Sequence, residues 1–164
     1  MGRGTLVLGI GNVFLSDEAV GVRVIEALQQ RFHLPEDLDV IDGGTCGFEL
    51  MSDMADREHI IVVDAVLAQD KAPGSILILK DKEVPAVFTR KISPHQLGLS
   101  DVLSALTMTD EFPERITLIG IIPETMEFKM ELSPVVQKSM EQALNILVET
   151  LKENGFSVTE KEAS

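Results

Sequence analysis

Residues 5–31 read TLVLGIGNVFLSDEAVGVRVIEALQQR, and the succession of patterns within them decides the fold. An apolar run, TLVL, enters a glycine-bearing loop, GIGNVFLSDE, and the chain leaves that loop with apolar residues at helical spacing. Strand, tight loop and helix in this order form the unit from which parallel sheets are built.

Further runs rich in Val, Ile and Leu occur at 38–41 (LDVI), 59–63 (HIIVV), 75–79 (SILIL) and 115–122 (RITLIGII), and each reads as a strand. Helical patterns lie at 18–31, 47–55, 98–107 and 134–153. Near-continuous apolar strands separated by helices imply burial on both sheet faces. The expected fold is therefore α/β: one three-layer α/β/α domain around a mostly parallel, twisted five-stranded sheet. The last helix is predicted with Ser133 as N-cap, Pro134 at its first position and Gly155 at its end. The single domain spans 1–164, with 155–164 expected as a frayed tail. The segment 80–97, KDKEVPAVFTRKISPHQL, is the longest irregular stretch, and loops of that length are usually functional.

Composition removes several function classes. Cys46 is the only cysteine among 164 residues, which excludes a disulfide framework, a four-thiolate zinc site and a Cys-x-x-Cys pair. No apolar segment is long enough to span a membrane and no secretory leader is evident, so a cytoplasmic location is expected. With 14 basic against 27 acidic residues the formal charge is −13, which repels phosphate backbones and makes nucleic acid an unsuitable partner.

The first loop lacks the third glycine of a dinucleotide fingerprint, because Phe14 stands there. No Gly-Lys-Ser/Thr occurs either. What the loop does carry is Glu18, and it has company: Asp42 ends LDVID and Asp64 ends HIIVVD. Three carboxylates thus stand at or just beyond the carboxyl ends of three successive predicted strands, the edge where open parallel sheets bind ligands. Each has an ordinary structural use as well. Glu18 suits the first turn of a helix, Asp42 in DGGT suits a turn, and Asp64 suits a loop cap.

Of the three histidines, His33 and His59 are expected at the surface or an edge, and His95 in SPHQLGLSD on the approach to a helix. Glu18, Asp64 and His95 together offer two oxygen ligands and one nitrogen ligand, a set that suits Zn, Ni, Mn or Fe. A competing constellation, Gly43-Gly-Thr45-Cys46-Gly47, lies where a nucleophile elbow would sit. It serves equally as a tight strand-to-helix turn.

The segments LVLGIGNVFLSDEAVGVRVIEAL, VIDGGTCGFEL, IIVVDAV, GSILIL, ISPHQLGLSDVLSAL and ITLIGIIPE together resemble the nickel-iron hydrogenase maturation proteases of the HybD type, from about residue 5 to beyond 150. The resemblance implies an endopeptidase that removes a C-terminal extension from the precursor of the hydrogenase large subunit once nickel has been inserted. It implies that Glu18, Asp64 and His95 contact nickel carried by the substrate rather than hold a metal of their own, although a divalent ion such as nickel or zinc can occupy the set in isolation. Asp42 is the further catalytic candidate, as general base or through orientation of the substrate. The alternative is a non-enzymatic nickel- or nucleotide-binding maturation module using the same acids.

Overall fold

The computed structural model describes residues 3–45, 47–68, 70–84 and 94–162, without the side chains of 94–98. Its main sheet contains β1 (Thr5–Gly9), β3 (Leu38–Asp42), β4 (His59–Ala65), β5 (Ile76–Lys80) and β6 (Arg115–Ile121), in the order β3-β1-β4-β6-β5. All five lie on the runs that predict them. β3, β1, β4 and β6 are parallel, and β5 alone runs antiparallel to β6. The link from β4 to β5 shows no helix among its described residues, so β5 lacks the kind of crossover that parallel strands require.

Among the described residues, the α-helices with defined bounds that cover this sheet are α1 (Val20–Arg31), α2 (Met51–Met54), α3 (Pro94–Met108) and α4 (Pro134–Glu153). Strand alternation divides the core into two. Val7, Ile61, Val63 and Ile119 face α1 and α4, whereas Leu8, Ile60, Val62 and Leu118 face α2 and α3. All seven residues of β4 are buried, because this central strand is covered on both faces.

The chain crosses from β1 through α1 to β3 on one side, then returns past β1 to β4 on the other. The strand order therefore reverses between β1 and β4. Open α/β sheets bind ligands at such a switch point, outside the carboxyl ends of the strands.

Three local expectations change. Ser133 has the extended backbone of an N-cap, but its side chain makes no cap hydrogen bond to α4. The residues expected as a frayed tail are packed in part: β7 (Thr159–Glu160) pairs antiparallel with β2 (Phe32–His33), and Val158 is buried in the α1–α4 core. Apolar side chains at 156 and 158 hold this segment down, while the Gly155 and Phe156 amides close α4 on the Lys152 and Leu151 carbonyls.

The third change concerns His59, which is 3% exposed rather than at the surface. It opens β4, but β4 is central, so even its first residue is enclosed. Its Nε2 lies 2.8 Å from Thr117 Oγ1 on β6, and its Nδ1 is buried with no hydrogen-bond partner among the described residues. Burial, assisted by the Arg115 guanidinium, pushes the His59 pKa down to about 4. The unfolded chain then takes up this proton before the native protein does. The resulting stability is fully present above the unfolded value near 6.5 and is lost as pH falls through the native value near 4. Urea unfolding at pH 7 and pH 5 checks this: the wild type should lose about 1–2 kcal/mol more over that interval than His59→Gln does.

Candidate active site

Glu18 belongs to a 3-10 turn, Ser16–Ala19, between β1 and α1, and it is 3% exposed. Two glycines allow that turn to sit so low on the sheet. A Cβ on Gly11 would lie 2.1 Å from the Glu18 carbonyl oxygen, and one on Gly21 would lie 2.1 Å from the Val63 carbonyl oxygen of β4. Both contacts are to backbone, which has no rotamer through which to retreat. The start of α1 is thereby pressed against the strand residue that precedes Asp64.

Asp64 is fully buried near the end of β4, in register with Gly120 of β6. Asp42 ends β3 and is exposed. Gly9 of β1 lies level with Asp42 on one side and with Val63 on the other. Registered residues of parallel strands point to one face, and consecutive residues to opposite faces. Asp42 therefore shares the face of α1 and α4, and Asp64 points to the face of α2 and α3. The two acids also stand two strands apart, about 10 Å.

Asp42 uses one carboxylate oxygen locally, accepting the Gly44 amide at 2.9 Å. The rest of that turn ties into the β1 loop: the Gly43 amide donates to the Gly9 carbonyl and the Gly11 amide to the Gly44 carbonyl, each at 2.8 Å. These bonds give Gly43-Gly-Thr45 a lacing role. Cys46, the other candidate nucleophile there, lies outside the described residues.

His95 is on the first turn of α3 rather than in a loop before it, since the helix begins at Pro94. Proline at the first helical position lacks only an amide that the helix does not use, so the helix starts four residues before its expected boundary. The His95 side chain lies outside the described residues. Its helix packs through Leu99, Val102 and Leu106 on the face to which Asp64 points. Among the described residues no group of three or more His, Cys, Asp or Glu side chains could hold a metal ion. The donor types nevertheless suit a borderline divalent ion, with two buried carboxylates at the switch point and a histidine at the amino end of the helix on the Asp64 face.

A residue that local patterns miss holds the Glu18 turn in place. Asp17 is fully buried. Its Oδ2 accepts the Glu124 amide at 2.9 Å, the Thr125 amide at 3.1 Å and the Ser133 hydroxyl at 2.7 Å, while its Oδ1 accepts the Ser133 amide at 2.7 Å. Hydrogen bonds to an ionised carboxylate are roughly twice as strong as neutral ones. Ser16, at φ +51°, adds its amide to the Lys129 carbonyl at 2.8 Å and its hydroxyl to the Glu127 carbonyl at 2.7 Å. Segment 124–133 is thus strapped to the turn that carries Glu18. The partners are more than a hundred residues away in sequence, and no spacing within SDE signals them.

Comparison with known proteins agrees with this architecture. A family model described as hydrogenase maturation protease matches residues 22–150. The hydrogenase 2 maturation protease of Escherichia coli strain K12 is 53% identical over 158 residues, 96% of each chain. The solved hydrogenase maturating endopeptidase HybD from E. coli superposes with a TM-score of 0.92 at 52% identity, covering 96% of this chain and 97% of that one. The [NiFe] hydrogenase maturation protease HybD from Thermococcus kodakarensis does so with a TM-score of 0.74 at 26% identity, covering 89% and 97%. These similarities place the chain among the hydrolases that act on peptide bonds. The chain belongs to the hydrogenase maturation protease family.

The strap yields a graded prediction. Asp17→Asn is isosteric, but its amide nitrogen would face the Ser133 donor or displace an acceptor for the other three. It should lower the urea-unfolding free energy by about 2–4 kcal/mol, and Ser133→Ala by only about 1 kcal/mol. Equal losses in the two variants would refute the assignment of Asp17 as the hub.

Proposed function

We propose that the protein removes the C-terminal extension of the nickel-iron hydrogenase large-subunit precursor, and that it reads the nickel already inserted there through Glu18, Asp64 and His95. The observation that carries this reading is the pair of buried carboxylates, Glu18 and Asp64, from separate elements at the switch point of a chain in this family. Carboxylates fixed at that edge are suited to meet a substrate-borne cation.

Nickel is part of the substrate in this scheme. Glu18, Asp64 and His95 complete its coordination from the protease side, which registers the neighbouring peptide bond over the sheet edge. Registration of that kind turns proximity into rate, and it makes cleavage conditional on a filled nickel site. A divalent ion so held polarises a carbonyl or lowers the pKa of a water. Asp42, on the opposite face and two strands from Asp64, orients the substrate through the turn it holds, one of its oxygens keeping the Gly44 amide, or takes up a proton through solvent.

The test is cleavage of nickel-loaded against nickel-free precursor, followed by mass spectrometry of the released peptide. Only the loaded form should be processed, and Glu18→Gln, Asp64→Asn and His95→Ala should each slow processing by about a hundred-fold or more while remaining folded. Equal cleavage of both forms would remove nickel reading from the mechanism. Normal processing by all three variants would show that the site is elsewhere.

A further inference from the structure

Seven large apolar side chains are exposed among the described residues, and their distribution is uneven. Phe14 follows β1, Phe48 follows β3, Leu67 follows β4 and Phe128 follows β6. Each of the four parallel strands thus delivers at least one such residue from the segment at its carboxyl end, β6 adding Met130 to these four. Their exposures are 52, 61, 44 and 83%. The Phe14 and Phe128 rings stack with centroids 6.4 Å apart and planes 12° from parallel, which leaves their outer faces open to solvent.

A stack between two rings that are each more than half exposed recovers little of their burial energy. Exposed apolar clusters of this kind mark interaction sites on otherwise soluble surfaces. This cluster is fixed in place. Phe14 precedes the Ser16–Ala19 turn and Phe128 lies inside the 124–133 strap, so the Asp17 bonds that position Glu18 also hold the two rings together. The four residues come from the same sheet edge as the acids of the candidate site.

Charge specifies what fits it. Stretches 10–18, 42–50, 64–75 and 122–133, which follow these four strands, contain nine acids and only two bases, Lys71 and Lys129. A partner complementary to this edge offers apolar side chains for the rim and cations for the acids around it. A second copy of a chain with formal charge −13 would bring like charge to like.

We propose that Phe14, Phe48, Leu67 and Phe128 form a docking rim for the precursor polypeptide, and that the segment seated on it combines apolar side chains with Lys or Arg. This rests on the maturation reading above and adds to it the surface that recognises protein rather than nickel. The rim sets binding, and the acids set the chemistry.

The experiment measures both affinity and turnover with the nickel-loaded precursor. Phe14→Ser combined with Phe128→Ser, then Phe48→Ser and Leu67→Ser, are compared with Met108→Ser. Met108 is 86% exposed at the far end of α3. The rim variants should weaken precursor binding and raise KM by about ten-fold or more with kcat within about two-fold, and Met108→Ser should match the wild type. Glu49→Lys should also raise KM, and binding should weaken between 0.05 and 0.5 M salt, roughly in line with screening.

Unchanged affinity in the rim variants overturns the rim, whatever the cleavage results. Wild-type binding without cleavage sinks the protease reading alone, because affinity still decides the rim. A wild type that does not bind precursor overturns both. If the Phe variants convert a sedimenting dimer to a monomer with precursor affinity intact, the rim is a self-association surface and the proposal fails. Salt-independent binding with normal affinity for Glu49→Lys refutes the basic character of the bound segment.

Discussion

The Asp17 carboxylate, buried and hydrogen-bonded to the Glu124, Thr125 and Ser133 amides and the Ser133 hydroxyl, is the constraint on which the business edge depends. A 3-10 turn on a strand end has few bonds of its own, and the Ser16–Ala19 turn has no side-chain cap. What fixes it is the segment leading into α4. Because α4 is itself anchored in the core through Val136, Leu144 and Leu147, the rigidity of the longest helix is passed through Ser133 to the residue next to Glu18. A charged acceptor suits this task, since four donors converge on two oxygens and neither oxygen is left to compete with them. Ser133 thereby has two functions, as the extended residue before α4 and as a donor to a distant carboxylate. The second explains why its hydroxyl does not cap the helix.

The sheet supplies the other half of the placement. Strand alternation sends Asp42 and Asp64 to opposite faces even though both stand at or next to a strand's last residue at nearly the same level. Asp64 is directed toward the side where α3 packs, and the first turn of α3 carries His95. Asp42, on the edge strand, remains wet and holds a turn. Two acids with the same sequence context, each at the end of an apolar run, acquire different surroundings solely from strand order and parity. Buried, oriented carboxylates suit recognition of a cation, while a solvated one suits exchange of protons with water.

Much of the fold was legible because each main strand carries a short run of Val, Ile and Leu, the three inner ones buried on both faces, and no competing period obscures it. The direction of β5 was not legible, since SILIL reads alike in either sense and the missing crossover helix shows only in the link. His59 misled for a related reason: position at the start of a strand says nothing about whether that strand is central. Of the candidate site residues, Glu18, Asp42 and Asp64 could be placed at the sheet edge because strand ends are visible in sequence. Asp17 and the Phe14–Phe128 stack could not, because their partners are joined by folding across more than a hundred residues. Pro94 was a visible start signal for α3, yet PHQ reads equally well as a stiffened loop.

The glycines of the first loop show how a familiar pattern can carry a different physical load. In a dinucleotide cradle, glycine leaves room for a pyrophosphate to approach the backbone. Here the room beside Gly11 is filled by the Glu18 carbonyl, and the room beside Gly21 by the carbonyls of Ile10 and Val63. The protein's own turn occupies the space a phosphate would need. That substitution is consistent with the chemistry of the edge, where nine acids would repel a phosphate and attract a cation. Absence of side chains at two positions thus brings a third side chain, that of Glu18, down to the strand ends, and the pattern that suggests an anion site builds a site of the opposite electrostatic sense.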